Sequence, residues 1–344
     1  MGKFARAAIL ISLATAVCCA QSNPKLRTYF KDYVGLSDEE IASIQSGKAF
    51  AKNLHSRVPD EIFVFGAVLV HASPDQYPRF SRDLDRLRST PGYLAIGEFS
   101  DPPRLSDLPE LQIGANEIEE LKQCKPGHCE FQVPAASMEE LQHSVDFSAP
   151  DGNEQVDGYV RKKLLERLTA YQRQGNQALG TYNDKREPID IAEQFKYMLS
   201  YAKALPKYLP DFYGYLLAYP EAKPANTEDA FYWSRVKFGL KPTLRIVHVV
   251  TTRGKGDDQP AYTIAEKQIY SSHYFETALD LTFCVLEPSD PRQPAFYLVK
   301  MMGSEQAGLT GFKGSIVRKA AVGRSSSSLE KSLAAIKVSL ESSN

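Results

Sequence analysis

The stretch EKQIYSSHYFETALDLTFCV, residues 266–285, carries a serine and a histidine that could take part in chemistry. Every second residue from Ile269 onwards falls in one row, and Ser271 and His273 share that row with a series of apolar side chains. In a β-strand such a row lies on one side of the sheet. A hydroxyl and an imidazole among apolar neighbours indicate either a catalytic site or the wall of a ligand cavity.

A histidine acts as a general acid or base when a carboxylate lies beside it. Glu266, Glu276 and Asp280 are the acidic residues near His273, and all three have the opposite strand parity. The stretch therefore predicts no acid–base pair of its own, and only a carboxylate from a neighbouring strand would complete one. The same requirement applies to His248, which lies on another predicted strand.

Common catalytic and cofactor motifs do not occur in the sequence. There is no Gly-x-Ser-x-Gly elbow, no His-Glu-x-x-His helix, no phosphate loop with Gly-Lys-Ser/Thr and no Cys-x-x-Cys-His haem site. The glycines of GLTGFKG, residues 308–314, have a spacing that no standard phosphate loop uses. We therefore predict no catalytic residue and no cofactor.

The N-terminus has the three-part pattern of a secretory signal. Two basic residues precede the apolar run AAILISLATAVCCA, and the polar segment QSNPK follows it. We predict a signal peptide over residues 1–20, cleaved near Ala20, and export to the periplasm or the exterior. An N-terminal anchor, a buried helix and lipoprotein processing at Cys18 or Cys19 are the alternatives. No later stretch approaches the roughly 18 apolar residues of a transmembrane helix, so we expect none in the mature chain.

Export favours a disulfide between Cys124 and Cys129. The sequence CKPGHC places Pro and Gly between them, and this dipeptide favours a tight turn that could bring the two sulfurs within bonding distance. A metal site that adds His128 is an alternative, although it lacks a fourth ligand and the usual two-residue cysteine spacing. Two free thiols are the third alternative. Cys284 is expected to be a lone, half-buried thiol.

Composition and charge exclude several classes of protein. The chain has 344 residues, of which 43% are hydrophobic and 24% are charged, and this composition excludes a wholly disordered or fibrous chain. The formal charge is −1 and no run of Lys and Arg forms a stripe. We therefore predict no nucleic-acid partner.

The mature chain divides into three parts. Residues 21–134 alternate strand-like and helical patterns and form the N-terminal part of an α+β domain. Residues 135–220 are helical in pattern, and we interpret them as an inserted helical block or subdomain. Residues 221–344 contain several antiparallel strands and a final helix.

The final helix is predicted from SSSSLEKSLAAIKVSLE, residues 325–341, with a capping box at Ser327 and Glu330. Its apolar residues recur at helical spacing and form one stripe: Leu329, Leu333, Ile336 and Leu340. The stripe indicates that this helix packs across a sheet. The predicted fold class is therefore α+β, a curved antiparallel sheet packed on a long C-terminal helix, with an inserted helical block.

This order of elements resembles the START-like helix-grip superfamily. The residues that carry the resemblance are VFGAVLVHASPDQYPRFSRDLDRL and IYSSHYFETALDLTFCV onward, within residues 58–110 and 230–342. The resemblance implies a sheet that wraps the last helix around a lipid or another hydrophobic ligand. Residues 135–220 depart from the family pattern. The whole chain also resembles exported bacterial proteins of unassigned function.

We predict that a hydrophobic or amphipathic small molecule binds between the sheet and the C-terminal helix, without chemistry. The residues predicted to contact it are Ser271, His273, Phe275, Leu279, Leu281 and Leu333. One alternative is a hydrolase-like or cyclase-like enzyme that uses His273 or His248. Another is a protein-interaction module that presents the helical block, although the sequence identifies no partner.

Overall fold

A computed structural model describes most of the chain. It covers residues 23–109, 111–238, 241–256, 259–288, 293–306, 308–309 and 311–342. The predicted signal peptide, residues 1–20, lies outside the described residues. Within them, no helix has the length and apolar character needed to cross a membrane.

Eight strands form one antiparallel sheet in the order β1-β2-β10-β9-β8-β7-β6-β3, and two short strands pair separately. The strands are β1 (Phe50–Leu54), β2 (Glu61–Val70), β3 (Tyr93–Glu98), β4 (Thr181–Tyr182), β5 (Ile189–Asp190), β6 (Thr227–Lys237), β7 (Pro242–Arg253), β8 (Tyr262–Ser271), β9 (Phe275–Glu287) and β10 (Ala295–Gln306). The chain leaves the sheet after β3 and returns at β6, so the helical block is an excursion between two neighbouring strands.

Helices cover both faces of the sheet. They are α1 (Pro24–Thr28), α2 (Asp38–Gln45), α3 (Gln76–Ser81), α4 (Leu84–Ser89), α5 (Ala115–Lys122), α6 (Ala135–Ser144), α7 (Gly152–Gln174), α8 (Ile191–Leu199), α9 (Leu205–Tyr208), α10 (Pro210–Ala218) and α11 (Gly311–Glu341). A π-helical turn at Tyr29–Val34 continues α1, and a 3₁₀ segment at Gly175–Leu179 follows α7.

The C-terminal helix α11 packs on one face of the sheet, across β1 and β2. Val64, Leu298 and Leu333 belong to the apolar core of this face, which we call the α11 face. The helix and β2 are in such close contact that a Cβ added to Gly66 would lie 2.7 Å from Cδ1 of Leu333. The structure confirms the predicted α+β class, with an antiparallel sheet packed on a long C-terminal helix. The helix begins at Gly311, before the predicted Ser325.

The opposite face packs against the helical block and is called the block face. Phe231, Ile246 and Leu281 meet α7, α8 and α10 there in the largest apolar core. The N-terminal helices also pack on this face, but in a separate core over β2 and β10 that contains Phe30 and Phe65. Two bodies therefore cover the block face side by side.

The cysteines are arranged largely as predicted. Cys124 and Cys129 form a disulfide, and the loop between them turns at Gly127 with a φ of 78°. Cys284 is a free thiol. It is fully buried in the core of the α11 face, where the sequence predicted half burial. The strand alternation was correct there, but an apolar core that includes Tyr77 of α3 covers the side of the sheet that was expected to face water.

Candidate functional site

The serine and histidine of the sequence analysis lie in a hairpin turn and not along one continuous strand. β8 ends at Ser271 and β9 begins at Phe275. Between them, Tyr274 adopts a left-handed backbone with a φ of 66°. This turn interrupts the two-residue alternation, so the parity that placed Ser271 and His273 in one row with the apolar side chains does not hold.

Ser271 and His273 are committed to local hydrogen bonds. The Ser271 hydroxyl donates to the His273 carbonyl at 2.8 Å, and Nδ1 of His273 lies 2.8 Å from the Ser272 hydroxyl. The imidazole packs 4.5 Å from the ring of Phe131, next to the disulfide loop. Its Nε2 has no hydrogen-bond partner among the described residues and lies 4.0 Å from Oε2 of Glu120. Burial, with Lys241 as a second cause, lowers the pKa of His273 to about 4, so the ring is neutral at physiological pH.

The six residues predicted to contact a ligand are not brought together. Leu279 and Leu281 point into the core of the block face, whereas Leu333 lies in the core of the α11 face. Leu333 is completely buried and rests against β2, so the layer at this point is filled. Phe275 is half-buried and packs edge-on against Phe238 at 4.9 Å. The sheet itself separates the proposed contacts.

The second candidate histidine does have the cross-strand carboxylate that an acid–base pair requires. His248 on β7 places Nε2 2.8 Å from Oδ1 of Asp229 on β6. Its Nδ1 lies 3.0 Å from the hydroxyl of Tyr171 on α7. The imidazole is only 1% exposed and is packed between the rings of Tyr219 and Phe231. The imidazole therefore lies inside the core, whereas Asp229 is half-buried and forms an ion pair with the exposed Lys223.

Two adjoining pockets open on the block face, at the seam between the N-terminal helices and the helical block. Both are bounded by Tyr29, Ala204, Leu205 and Phe283. The first, called the apolar pocket, has a volume of about 100 Å³ and extends towards Val285. The second, called the arginine pocket, has a volume of about 400 Å³.

Aromatic rings form much of the wall of these pockets. Tyr29 stacks on Tyr33 at 5.9 Å, and its hydroxyl donates to the sulfur of Met301 at 2.7 Å. Phe63 and Tyr201 stack face to face at 3.7 Å behind the arginine pocket. Burial raises the pKa of Tyr29 far above its ordinary value, so the hydroxyl stays a neutral donor. Such walls suit an apolar chain with few polar anchors.

Among the described residues that line the two pockets there are Lys, Arg and His side chains but no carboxylate. Lys25 lines the apolar pocket, and His55, Arg57 and Lys203 line the arginine pocket. The guanidinium of Arg57 is already engaged with the buried Glu61 at 2.6 Å. Lys203 is exposed at the rim. The seam therefore combines an apolar floor with a basic edge.

Leu281 is the member of the predicted ligand set that lines one of these pockets. Phe283, two residues further on, belongs to the same strand row and forms the wall that the two pockets share. The period-two pattern could have identified both residues. Tyr29 and Leu205 carried no signal in the sequence, because only the tertiary fold brings these distant segments over β9.

The structure thus offers two sites of different character, an apolar seam with a basic edge and a largely buried polar chain around His248. Comparison with known proteins does not choose between them. The sequence matches no protein-family model, and no curated protein is significantly similar to it.

Proposed function

We propose that this is an exported binding protein for a long-chain amphiphile with an anionic head, such as a fatty acid. The ligand lies in the two adjoining pockets on the block face and not between the sheet and α11. This position differs from the one that the START-like resemblance implies, and the resemblance remains a prediction about relatedness.

The observation that carries the proposal is the combination of lining residues at the seam. An apolar chain would contact Leu205, Phe283 and Val285, while the head would reach the basic edge near Lys203. The arginine pocket has a volume of about 400 Å³, which falls in the range of small-molecule sites, roughly 300–1,000 Å³. Charge complementarity favours an anionic head over a cationic one.

The two alternatives have less support. An enzyme that uses His248 would need substrate access, and that ring is 1% exposed. An enzyme that uses His273 would need a proton-accepting partner, and its Nε2 lies 4.0 Å from Oε2 of Glu120, beyond hydrogen-bond distance. An interaction module remains a prediction, because no described feature of the helical block indicates a particular partner.

The first test is chemical. The purified protein is extracted with organic solvent, and the extract is examined for lipids by mass spectrometry. The extracted protein is then titrated with a fluorescent long-chain fatty acid. We expect saturable binding in the micromolar range or tighter, which corresponds to about 8 kcal/mol or more.

Ala204 offers a matched pair of variants, because it lines both pockets without belonging to a core. Ala204→Trp should fill the shared wall and weaken binding by at least about tenfold, or about 1.4 kcal/mol. Ala320→Trp, at an exposed position on α11, should leave binding unchanged. Equal binding by the two variants, or no binding and no lipid in the parent, would refute the proposal. Lys203→Glu should weaken the binding of the anionic fatty acid more than the binding of a neutral long-chain alcohol.

A further inference from the structure

Lys267 on β8 is a lysine inside the protein core. Its side chain lies on the block face and is 1% exposed. The ammonium nitrogen Nζ lies 3.7 Å from the centre of the Phe195 ring and 3.2 Å from the hydroxyl of Tyr171. Its third contact is a hydrogen bond to Oδ1 of Asn176. Burial lowers the pKa of Lys267 well below its usual value, and its hydrogen-bond partners in the described chain are uncharged. Both features favour the neutral, nucleophilic form of the amine.

The carboxamide of Asn176 is held in one orientation beside this amine. Asn176 lies in the 3₁₀ segment after α7, and its Nδ2 donates to the carbonyls of Leu216 at 3.1 Å and Leu217 at 2.6 Å. These two bonds turn Nδ2 towards α10 and Oδ1 towards Lys267. The carboxamide carbon is bonded to Oδ1 and is therefore close to Nζ, at a site where Lys267 is buried and Asn176 is half-buried. Because the two reacting groups are already held side by side, the reaction barrier does not include the entropy cost of bringing them together.

A chain of hydrogen bonds leads from the amine to a carboxylate. Nζ of Lys267 donates to the Tyr171 hydroxyl, and that hydroxyl lies 3.0 Å from Nδ1 of His248. The other nitrogen, Nε2, donates to Asp229 at 2.8 Å, which assigns the proton of the neutral ring to Nε2. Burial opposes ionisation of Asp229, but hydrogen bonds from His248 and from Lys223 outweigh it and lower the pKa of Asp229 to about 2. His248 is thus an unprotonated base whose protonated form Asp229 would stabilise.

We propose that Lys267 and Asn176 join in an intramolecular isopeptide bond that forms after folding. The lone pair of Nζ attacks Cγ of Asn176, and the bond between Cγ and Nδ2 breaks. The proton lost by Nζ passes through Tyr171 to His248. In the tetrahedral intermediate both nitrogens are bonded to Cγ, so Tyr171 can return the proton to the departing nitrogen, which leaves as ammonia. One amide replaces another, so the step needs no oxidant, metal or cofactor. Tyr171 is the catalytic residue, because it touches the reacting amine, and His248 and Asp229 act through it as positioning residues.

The bond would tie the centre of the sheet to the helical block. It joins β8 to the segment that follows α7, and these elements lie far apart in sequence. A covalent link of this kind restricts the unfolded chain as a disulfide does, but it survives reducing agents. This role accounts for a lysine buried in an apolar core, where its burial otherwise costs free energy.

Peptide mapping of the purified parent protein tests the proposal. After reduction and digestion with trypsin, we expect a branched peptide that joins the segments containing Lys267 and Asn176, with no cleavage at Lys267. The whole-protein mass should be one ammonia lower than the sequence mass. That loss alone is insufficient, because an N-terminal Gln21 and an asparagine that forms a succinimide also lose ammonia. The branched peptide is therefore the deciding measurement, and it requires no variant to fold.

Variants separate the chemistry from the packing. Lys267→Met and Asn176→Ala should each abolish the branched peptide, and Tyr171→Phe should reduce the cross-linked fraction in protein that remains folded by circular dichroism. Gln177→Ala, beside Asn176 in the sequence, is the control and should retain the link. Recovery of both linear peptides from the folded parent, with Lys267 cleaved by trypsin, would overturn the proposal. A loss of ammonia that persists in Lys267→Met would assign that loss to cyclisation elsewhere.

Discussion

His273 allows a quantitative test of the structure through the pH dependence of stability. Its imidazole is 4% exposed, packs on Phe131 and has one unpaired nitrogen. Burial, followed by Lys241, lowers its pKa from 6.5 to about 4 in the folded state. Between about pH 6.5 and about pH 4, His273 therefore binds a proton in the unfolded chain but not in the folded protein. The stability contributed by a neutral His273 is complete above pH 6.5 and is lost as the pH falls towards 4.

The size of this loss follows from the two pKa values. One unit corresponds to about 1.4 kcal/mol, so the parent should lose about 2 kcal/mol by about pH 5 and about 3 kcal/mol by about pH 4 from this group alone. His273→Phe keeps a ring in the site and removes the titration. The variant also loses the contact with the Ser272 hydroxyl, but that loss does not depend on pH. The stability difference between parent and variant should therefore shift in favour of the variant as the pH falls.

Urea unfolding of both proteins at about pH 7.5 and about pH 5 measures this shift directly. His143→Phe, at an exposed position on α6, controls for the removal of one titratable ring from the chain. A parent–variant difference that is the same at both pH values would show that His273 takes up its proton in the folded state. In that case, the burial described here would be wrong.

Three further predictions concern the α11 face and the cysteines. Burial, followed by the neighbouring Glu266, raises the pKa of Asp280 to about 7, so the stability contributed by a protonated Asp280 is lost as the pH rises from about 4 to about 7, and Asp280→Asn should stabilise the protein more at about pH 8 than at about pH 4; urea unfolding at both values tests this, and equal effects would contradict it. Leu333→Trp should cost about 1–3 kcal/mol or more, because the site is filled, whereas Val338→Trp, on the exposed side of α11, should be nearly neutral in the same measurement. Thiol labelling of the unreduced, unfolded chain without residues 1–20 should modify Cys284 alone, and three labelled cysteines would contradict the disulfide.

The alternation of side chains predicted the strands well where both neighbours are extended. Leu279 and Leu281 do share one face, and Cys284 does lie on the other. The prediction failed at the turn, because Tyr274 has a left-handed backbone that a tyrosine rarely adopts. A sequence without Gly or Asn at that position gives no sign of such a turn, so Ser271 and His273 were assigned to a strand row.

The start of the last helix was also outside the reach of local rules. Ser327 and Glu330 have capping-box spacing, which predicts a helix start, yet both lie within α11. Serine in the middle of a helix can satisfy its hydroxyl on the preceding turn, and Ser325 donates to the carbonyl of Ala321 at 2.8 Å. The capping-box spacing therefore predicted a helix start at a position where the helix in fact continues.

The pairing of His248 with Asp229 could be stated only as a requirement from the sequence. The two residues are not directly opposite each other, since His248 pairs with Phe231 and Asp229 pairs with Val250. Their contact is a diagonal one, and it depends on the strand register. Lys267 and Asn176 are still harder to foresee, because one lies on a strand and the other in a 3₁₀ turn of the helical block.

The two faces of the sheet are covered differently, and this difference is the reason that the proposed ligand site lies on the block face. On the α11 face, one long helix packs its apolar stripe onto β2, and Gly66 lets Leu333 approach so closely that no space remains between these two residues. On the block face, the N-terminal helices and the helical block are separate bodies with separate cores. A seam remains between these two groups of helices, and Phe283 and Tyr29 line the pockets at that seam. The apolar stripe of a helix predicts that it packs, but a pocket arises where two covers meet, and only the tertiary fold reveals that position.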